Sequence, residues 1–167
     1  QSTIKAQQVA HGSAATPPTP PAVTGYTFTG WDKELSSITT AMTVTARYRA
    51  NAYTIAFDGN GGTGTMDPMD MAYDREAALS PNGFSHPRAT WQRWNTRADG
   101  SGATYGDGQS VRNLTDGDGA MVTLYAQWSA DPAITFDDGW GGVLKEERVP
   151  SGGTAAPAAF TRTSLKK

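Results

Sequence analysis

The sequence predicts a mainly β protein assembled from small tandem modules, and three observations lead there. Short runs of β-branched and aromatic residues alternate with turn clusters, no stretch sustains an apolar 3.6-residue period, and blocks of sequence recur in fixed order. The 19 Gly and 10 Pro among 167 residues interrupt the chain too often for long helices. Runs such as Met42-Thr43-Val44-Thr45-Ala46-Arg47-Tyr48 and Tyr53-Thr54-Ile55-Ala56-Phe57 read as exposed antiparallel strands.

The opening element of a unit is Tyr53-Thr54-Ile55-Ala56-Phe57-Asp58-Gly59, which returns as Ala133-Ile134-Thr135-Phe136-Asp137-Asp138-Gly139. A second element follows: Val9-Ala10-His11-Gly12-Ser13-Ala14-Ala15 corresponds to Met71-Ala72-Tyr73-Asp74-Arg75-Glu76-Ala77 and to Val149-Pro150-Ser151-Gly152-Gly153-Thr154-Ala155. The third pairs Gly25-Tyr26-Thr27-Phe28-Thr29-Gly30-Trp31-Asp32 with Arg88-Ala89-Thr90-Trp91-Gln92-Arg93-Trp94-Asn95. We read its aromatic and the Trp after it as alternating, with a spacing of two that sets both on one strand face. The last element is a closing strand, Val44-Thr45-Ala46-Arg47-Tyr48 and Leu124-Tyr125-Ala126-Gln127-Trp128.

These elements divide the chain into a first module at 1–50 without its opening strand, a complete second module at 51–130, and a partial third at 131–167. The expectation is a stretch of a longer tandem array. Arg49-Ala50-Asn51-Ala52 reads as a short linker between semi-independent modules, open to proteases, with residues 53–129 able to fold alone. The extra segment 96–108 of the second module reads as a surface-loop insertion.

Modules this small bury little surface, so a few large side chains must supply the core. The candidates are Phe28, Trp31 and Tyr48 in the first module, and Phe57, Trp91, Trp94, Leu124 and Trp128 in the second.

Composition narrows function mostly by what it withholds. With 14 Lys and Arg against 16 Asp and Glu, a formal charge of −2 offers no basic surface for nucleic acid or an anionic membrane. No apolar stretch approaches the roughly 20 residues that span a bilayer. The absence of Cys removes disulfides and thiolate zinc sites, and His11 and His86 are the only histidines, read as solvated turn residues; no metal or cofactor is expected. Gly59-Asn60-Gly61-Gly62-Thr63-Gly64 has dinucleotide-binding spacing, but Met66-Asp67-Pro68-Met69-Asp70 follows where a helix must open, so a tight hairpin reversal is preferred. Asp116-Gly117-Asp118-Gly119 starts like a calcium loop and then has Gln127 where the bidentate Glu belongs, which leaves a polar turn.

The elements from Tyr53-Thr54-Ile55-Ala56-Phe57-Asp58-Gly59-Asn60-Gly61-Gly62 through Trp94-Asn95-Thr96-Arg97-Ala98-Asp99-Gly100-Ser101-Gly102 to Leu124-Tyr125-Ala126-Gln127-Trp128 resemble the internalin B-repeat, or Listeria-Bacteroides repeat, family. The second module departs from the family pattern at Arg88-Ala89 and at Arg93, where Gly-Tyr and Gly are usual. The resemblance implies a β-grasp-like module, mainly β or α+β, with a short helical or irregular crossover. It also implies a secreted, cell-wall or cell-surface location and a non-catalytic role as stalk, spacer or adhesin. The partners expected are neighbouring repeats of the same chain and a host or cell-surface protein or glycan. An alternative is a carbohydrate-binding module of a secreted enzyme, with Tyr105 and Trp140, both outside the repeated core pattern, as stacking candidates.

Overall fold

Alternation of apolar and polar residues produces strands throughout the computed structural model, which describes residues 4–137, 142–149 and 153–156. In chain order these are β1 (Tyr26–Trp31), β2 (Ala46–Ala50), β3 (Ala52–Asp58), β4 (Met69–Ala72), β5 (Ala77–Ala78), β6 (Ala89–Asn95), β7 (Thr104–Tyr105), β8 (Ser110–Val111), β9 (Ala120–Ala130), β10 (Ala133–Asp137) and β11 (Val143–Arg148). The described residues contain no helix, so the crossover of the second module is irregular chain with the short pair β5–β8.

Two compact units result, and they do not follow the repeats. One holds Gln1–Ala56, Pro68–Leu79 and Ser110–Val122; the other holds Phe57–Asp67, Ser80–Gln109 and Thr123–Lys167. The first contains the antiparallel pairs β1–β2, β3–β4 and β5–β8, and buries Tyr53, Ile55, Met71, Leu79 and Val111. The second contains β6 with β7, β6 with β9, and the hairpin β10–β11, and buries Trp94, Leu124 and Ala126. Strands β3 and β9 have residues in both units, and the five-stranded sheet has the order β4-β3-β9-β6-β7.

The aromatic element uses a device that the spacing concealed. Phe28 and Trp31 are three residues apart, as are Trp91 and Trp94, so a regular strand would send each pair to opposite faces. The ladder slips between Phe28 and Gly30 and between Trp91 and Arg93, at the same place in both modules. A bulge inserts one unpaired residue, which restores the two rings to one face. Phe28–Trp31 and Trp91–Trp94 then meet edge to face at 5.5 and 5.8 Å, each with a 66° interplanar angle. Gly30 takes φ +137° there, whereas Arg93 forms its bulge without positive φ, so the family's glycine is dispensable at this position.

The glycine-rich segment after β3 is a loop over residues 59–68, longer than the tight reversal expected from its sequence. Asn60 (φ 45°) turns the chain, and its side-chain amide donates to the carbonyls of Ala98 and Ala126 at 2.8 and 2.9 Å. The Trp128 indole donates to the Gly59 carbonyl at 2.8 Å, and a Cβ on Gly62 would stand 2.5 Å from that ring. Close approach of a tryptophan therefore demands the glycine.

The insertion contributes more than a loop. Its Thr104–Tyr105 forms β7, which pairs with Trp94 and Asn95. Asn95, fully buried, ties down the rest: its amide donates to the Gly100 and Gly102 carbonyls, and its oxygen accepts from the Arg97 and Gly102 amides, all within 2.8–3.1 Å. All four hydrogen-bonding positions of a buried amide are thus satisfied.

Candidate functional site

The first module holds an opening beside its strands. Two stretches of chain, residues 4–9 and 38–46, line an open groove of about 990 Å³ together with Trp31 and Leu35. Ile4 and Met42 on its wall are 54% and 40% exposed, far above core levels. Among the described residues lining it, Lys5 carries the one fixed charge, and its ammonium donates to the Thr16 carbonyl at 2.7 Å. Amide, hydroxyl and apolar groups make up the rest, a lining suited to an extended chain that brings backbone hydrogen bonds and alternating side chains.

The repeat register relates the walls of the groove to strands of the second module. Val9 corresponds to Met71 and Val44–Tyr48 to Leu124–Trp128, so the two lining stretches are the counterparts of β4 and β9. In the five-stranded sheet those are the two neighbours of β3.

Charged groups with displaced pKa gather elsewhere, at the junction after β2. Asn51 is 8% exposed; its N–H donates to the Gly25 carbonyl, its side-chain oxygen accepts from Thr27, and its amide donates to the Asp116 carbonyl. Its own carbonyl accepts from the Tyr73 amide. The segment expected to be a protease-prone linker is therefore bonded at Asn51 on every side. The adjoining Arg49 guanidinium forms a bidentate pair with Asp118, which also accepts from the Ala52 N–H; the pair holds the Asp118 carboxyl below the usual range. Asp74 (φ 63°) accepts from the Asn113 amide, the Tyr26 hydroxyl and Arg112, with the Asn113 bond as the largest cause of its lowered pKa. The Asp99 carboxyl is likewise lowered, first by the Ser101 backbone N–H. All are surface ion pairs or turn bonds, and they explain their own shifts without a reaction to serve.

The Asp116-Gly117-Asp118-Gly119 turn thus locks the junction through Asp118, and Asn113, formally a glycosylation acceptor, has its side chain committed to Asp74. His11 is exposed. His86 is not the free turn residue expected: it is partly buried, its ring 5.5 Å from that of Trp128, and its Nδ1 accepts from the Arg88 N–H. Among the described residues no three His, Cys, Asp or Glu gather as metal ligands.

Of the core candidates, Trp94 and Leu124 are fully buried, while Phe57, Trp91 and Trp128 in the second module and Phe28, Trp31 and Tyr48 in the first are intermediate. Tyr48 packs on Phe28 at 5.7 Å and its hydroxyl donates to the Pro21 carbonyl. Phe57 packs on Trp94 at 5.0 Å. Tyr105 is half-buried in β7 opposite Trp94, and Trp140 lies outside the described residues, so no paired stacking platform emerges from them. Sequence reasoning missed Asn51, Asn60 and Asn95; the signal was available in that Asn95 directly follows the repeated Trp, where the first module has Asp32.

Recurring bulges and ring pairs on a common strand order define a tandem β-repeat protein. The Listeria-Bacteroides repeat domain model matches residues 1–52 and again 53–127, and the chain belongs to that family. Two relatives from Evansella cellulosilytica are similar to it. One, named "Putative membrane protein", is 33% identical over 141 residues, covering 74% of this chain and 20% of its own length. The other, named "Putative Gly-rich membrane protein", is 28% identical over 155 residues, covering 77% of this chain and 17% of its own. The chain thus spans a fifth or less of the relatives it matches. No solved structure matches it. Among the described residues no helix is long and apolar enough to cross a membrane.

Proposed function

We propose that this chain is a non-catalytic repeat region of a bacterial cell-surface protein, lying outside the cell as a stalk or spacer and offering adhesive surface along its length. The observation that carries the reading is the abutment of two repeat matches, 1–52 and 53–127, at a junction bonded through Asn51. A chain of modules joined in this way serves extension better than chemistry. The family's presence in two much longer relatives named as membrane proteins supports a place near the envelope.

The test is access from outside. An antibody raised against the 167-residue chain should label intact cells of the source bacterium, and protease applied to whole cells should remove that label. Labelling that requires lysis would overturn the surface role and leave the repeat fold untouched. Titration with cell-wall and host glycans distinguishes the carbohydrate-binding alternative, which predicts saturable binding that Tyr105→Ala abolishes.

A further inference from the structure

We propose that consecutive repeats of this chain recognise one another at a matched joint. A clamp from a threonine hydroxyl to an Asn or Asp is common to both joints, and at the first joint Gly25-Tyr26 of one repeat is fitted to Tyr73-Asp74 of the next. The partner of this surface is the repeat that follows it in the same chain. The joint requires tandem repeats and is independent of where the protein resides.

The clamp occurs twice with one geometry. Asn51, between β2 and β3, accepts from the Thr27 hydroxyl at 2.6 Å, and its N–H donates to the Gly25 carbonyl at 2.8 Å. Asp131, between β9 and β10, accepts from the Thr90 hydroxyl at 2.7 Å, and its N–H donates to the Arg88 carbonyl at 3.0 Å. Each threonine faces the residue two before its clamp partner, Arg49 in one case and Ser129 in the other. Asn51 and Asp131 are both 8% exposed, so the hydroxyl satisfies an acceptor that burial takes away from water. The other side of each joint belongs to the next repeat: the Asn51 carbonyl accepts from the Tyr73 N–H, and the Asp131 carbonyl accepts from the Arg148 guanidinium.

The fitted pair occurs once, and its two sides change together. Gly25 is buried at φ +74°, and a Cβ there would stand 2.2 Å from the Tyr73 ring. Tyr26 meets that ring edge to face at 5.8 Å, and its hydroxyl donates to Asp74 at 2.9 Å. In the next repeat Arg88-Ala89 stand in the places of Gly25-Tyr26, and one repeat further on Ser151-Gly152 stand in the places of Tyr73-Asp74. The glycine is thus replaced where the ring is replaced, and the tyrosine hydroxyl is lost where the carboxylate is lost.

Selection follows from attraction and clash together. A repeat with Gly-Tyr accepts a successor with Tyr-Asp, whereas any side chain at position 25 meets the Tyr73 ring. The compact unit that contains the first joint crosses the repeat boundary in the same way: it joins Gln1–Ala56 to Pro68–Leu79 and Ser110–Val122 of the second repeat.

Hydrogen–deuterium exchange of the 167-residue chain tests this, read by mass spectrometry on segment 26–50 with β1 and β2 and segment 52–72 with β3 and β4. Asn51→Ala should speed exchange by about tenfold or more in both segments, because Asn51 bonds both repeats. Thr27→Val should do so as well, and Thr27→Ser should not. Tyr73→Ser, a change in the second repeat, should speed exchange in segment 26–50 of the first, and Gly25→Ala should speed it in segment 52–72. Combined, these two should fall short of the product of their single effects by about tenfold, since the serine removes the ring that the added Cβ meets. Segment 89–95, which belongs to the other compact unit, should keep its protection and so marks each variant as folded. Should the alanine at position 51 unfold the whole chain, Asn51→Asp carries the same expectation at smaller size: it keeps the Thr27 bond and loses the donor to the Asp116 carbonyl. Faster exchange confined to the segment of the repeat that carries the substitution overturns the proposal, and so do single effects that multiply in full.

Discussion

The first and second modules carry the same aromatic element, with the same bulge, the same cross-strand register and nearly the same ring geometry, yet they bury it differently. Trp94 is fully buried, whereas Trp31 is only partly so; Ala126 is fully buried and its counterpart Ala46 is not. Phe57 of β3 lies 5.0 Å from the Trp94 ring, and Phe84 approaches it at 6.1 Å from another side. The first module's described residues bring Phe28 to Trp31 and nothing comparable to Phe57. Local sequence thus sets the ring pair, and a strand from elsewhere in the chain determines whether that pair becomes a core.

The sharpest way to break the comparison is to remove the two tryptophans separately. Trp94→Ala should cost about 3–5 kcal/mol, as truncation of a fully buried aromatic does. Trp31→Ala should cost clearly less, because solvent already reaches its site; equal losses in urea titrations followed by near-UV circular dichroism would contradict the difference in burial. Trp94→Phe is informative as well. The Trp94 indole nitrogen is buried with no hydrogen-bond partner among the described residues, so this variant should lose far less than the alanine.

Next in size is Asn95→Ala. It strands the Arg97 and Gly102 amides and the Gly100 carbonyl, at a cost on the order of 2–3 kcal/mol. Limited proteolysis should then show a new early cut within residues 97–103. The aligned Asp32→Ala in the first module should matter less: Asp32 accepts a single bond, from the Thr45 N–H.

A change at Gly25 probes the seam between the modules' sequences. Gly25 is buried with φ +74°, and a Cβ there would stand 2.2 Å from the Tyr73 ring. Gly25→Ala should cost about 1–3 kcal/mol and perturb Tyr73 fluorescence, whereas Gly12→Ala, at similar φ with nothing within 4 Å, should cost only its backbone strain.

The smallest effect is acid sensitivity. Asp74 and Asp118 have carboxyls lowered in the folded state, so their contribution is present at neutral pH, above the unfolded value, and is lost as pH falls below about 4 and through the depressed values. Both are exposed, so the effect is modest. Asp74→Asn should flatten the acid limb of stability against pH; an unaltered limb would show that the Asp74 cluster contributes nothing measurable.

Much of this was legible because repetition supplies its own alignment. Four elements recurring in order mark the strands and the Trp94 core. The rest was hidden for physical reasons. A bulge adds one residue without changing composition, so a three-residue spacing reads as alternation. Arg49-Ala50-Asn51-Ala52 has the polar, small-residue character of a tether, and only the positions of Gly25, Thr27, Tyr73 and Asp116 reveal that Asn51 is pinned. β7 is two residues long and draws its identity from pairing with Trp94 and Asn95, which no local pattern announces. The groove has residues 4–9 and 38–46 as walls, two stretches that no local pattern brings together.

Asn51 has one more consequence, and it is mechanical. β2 ends at Ala50 and β3 begins at Ala52, so a single extended residue, about 3.5 Å of chain, separates two strands. A pull along the backbone meets no slack to take up before it loads the hydrogen bonds of both strands. The bonds of β2 with β1 and of β3 with β4 would therefore break before the junction itself could lengthen.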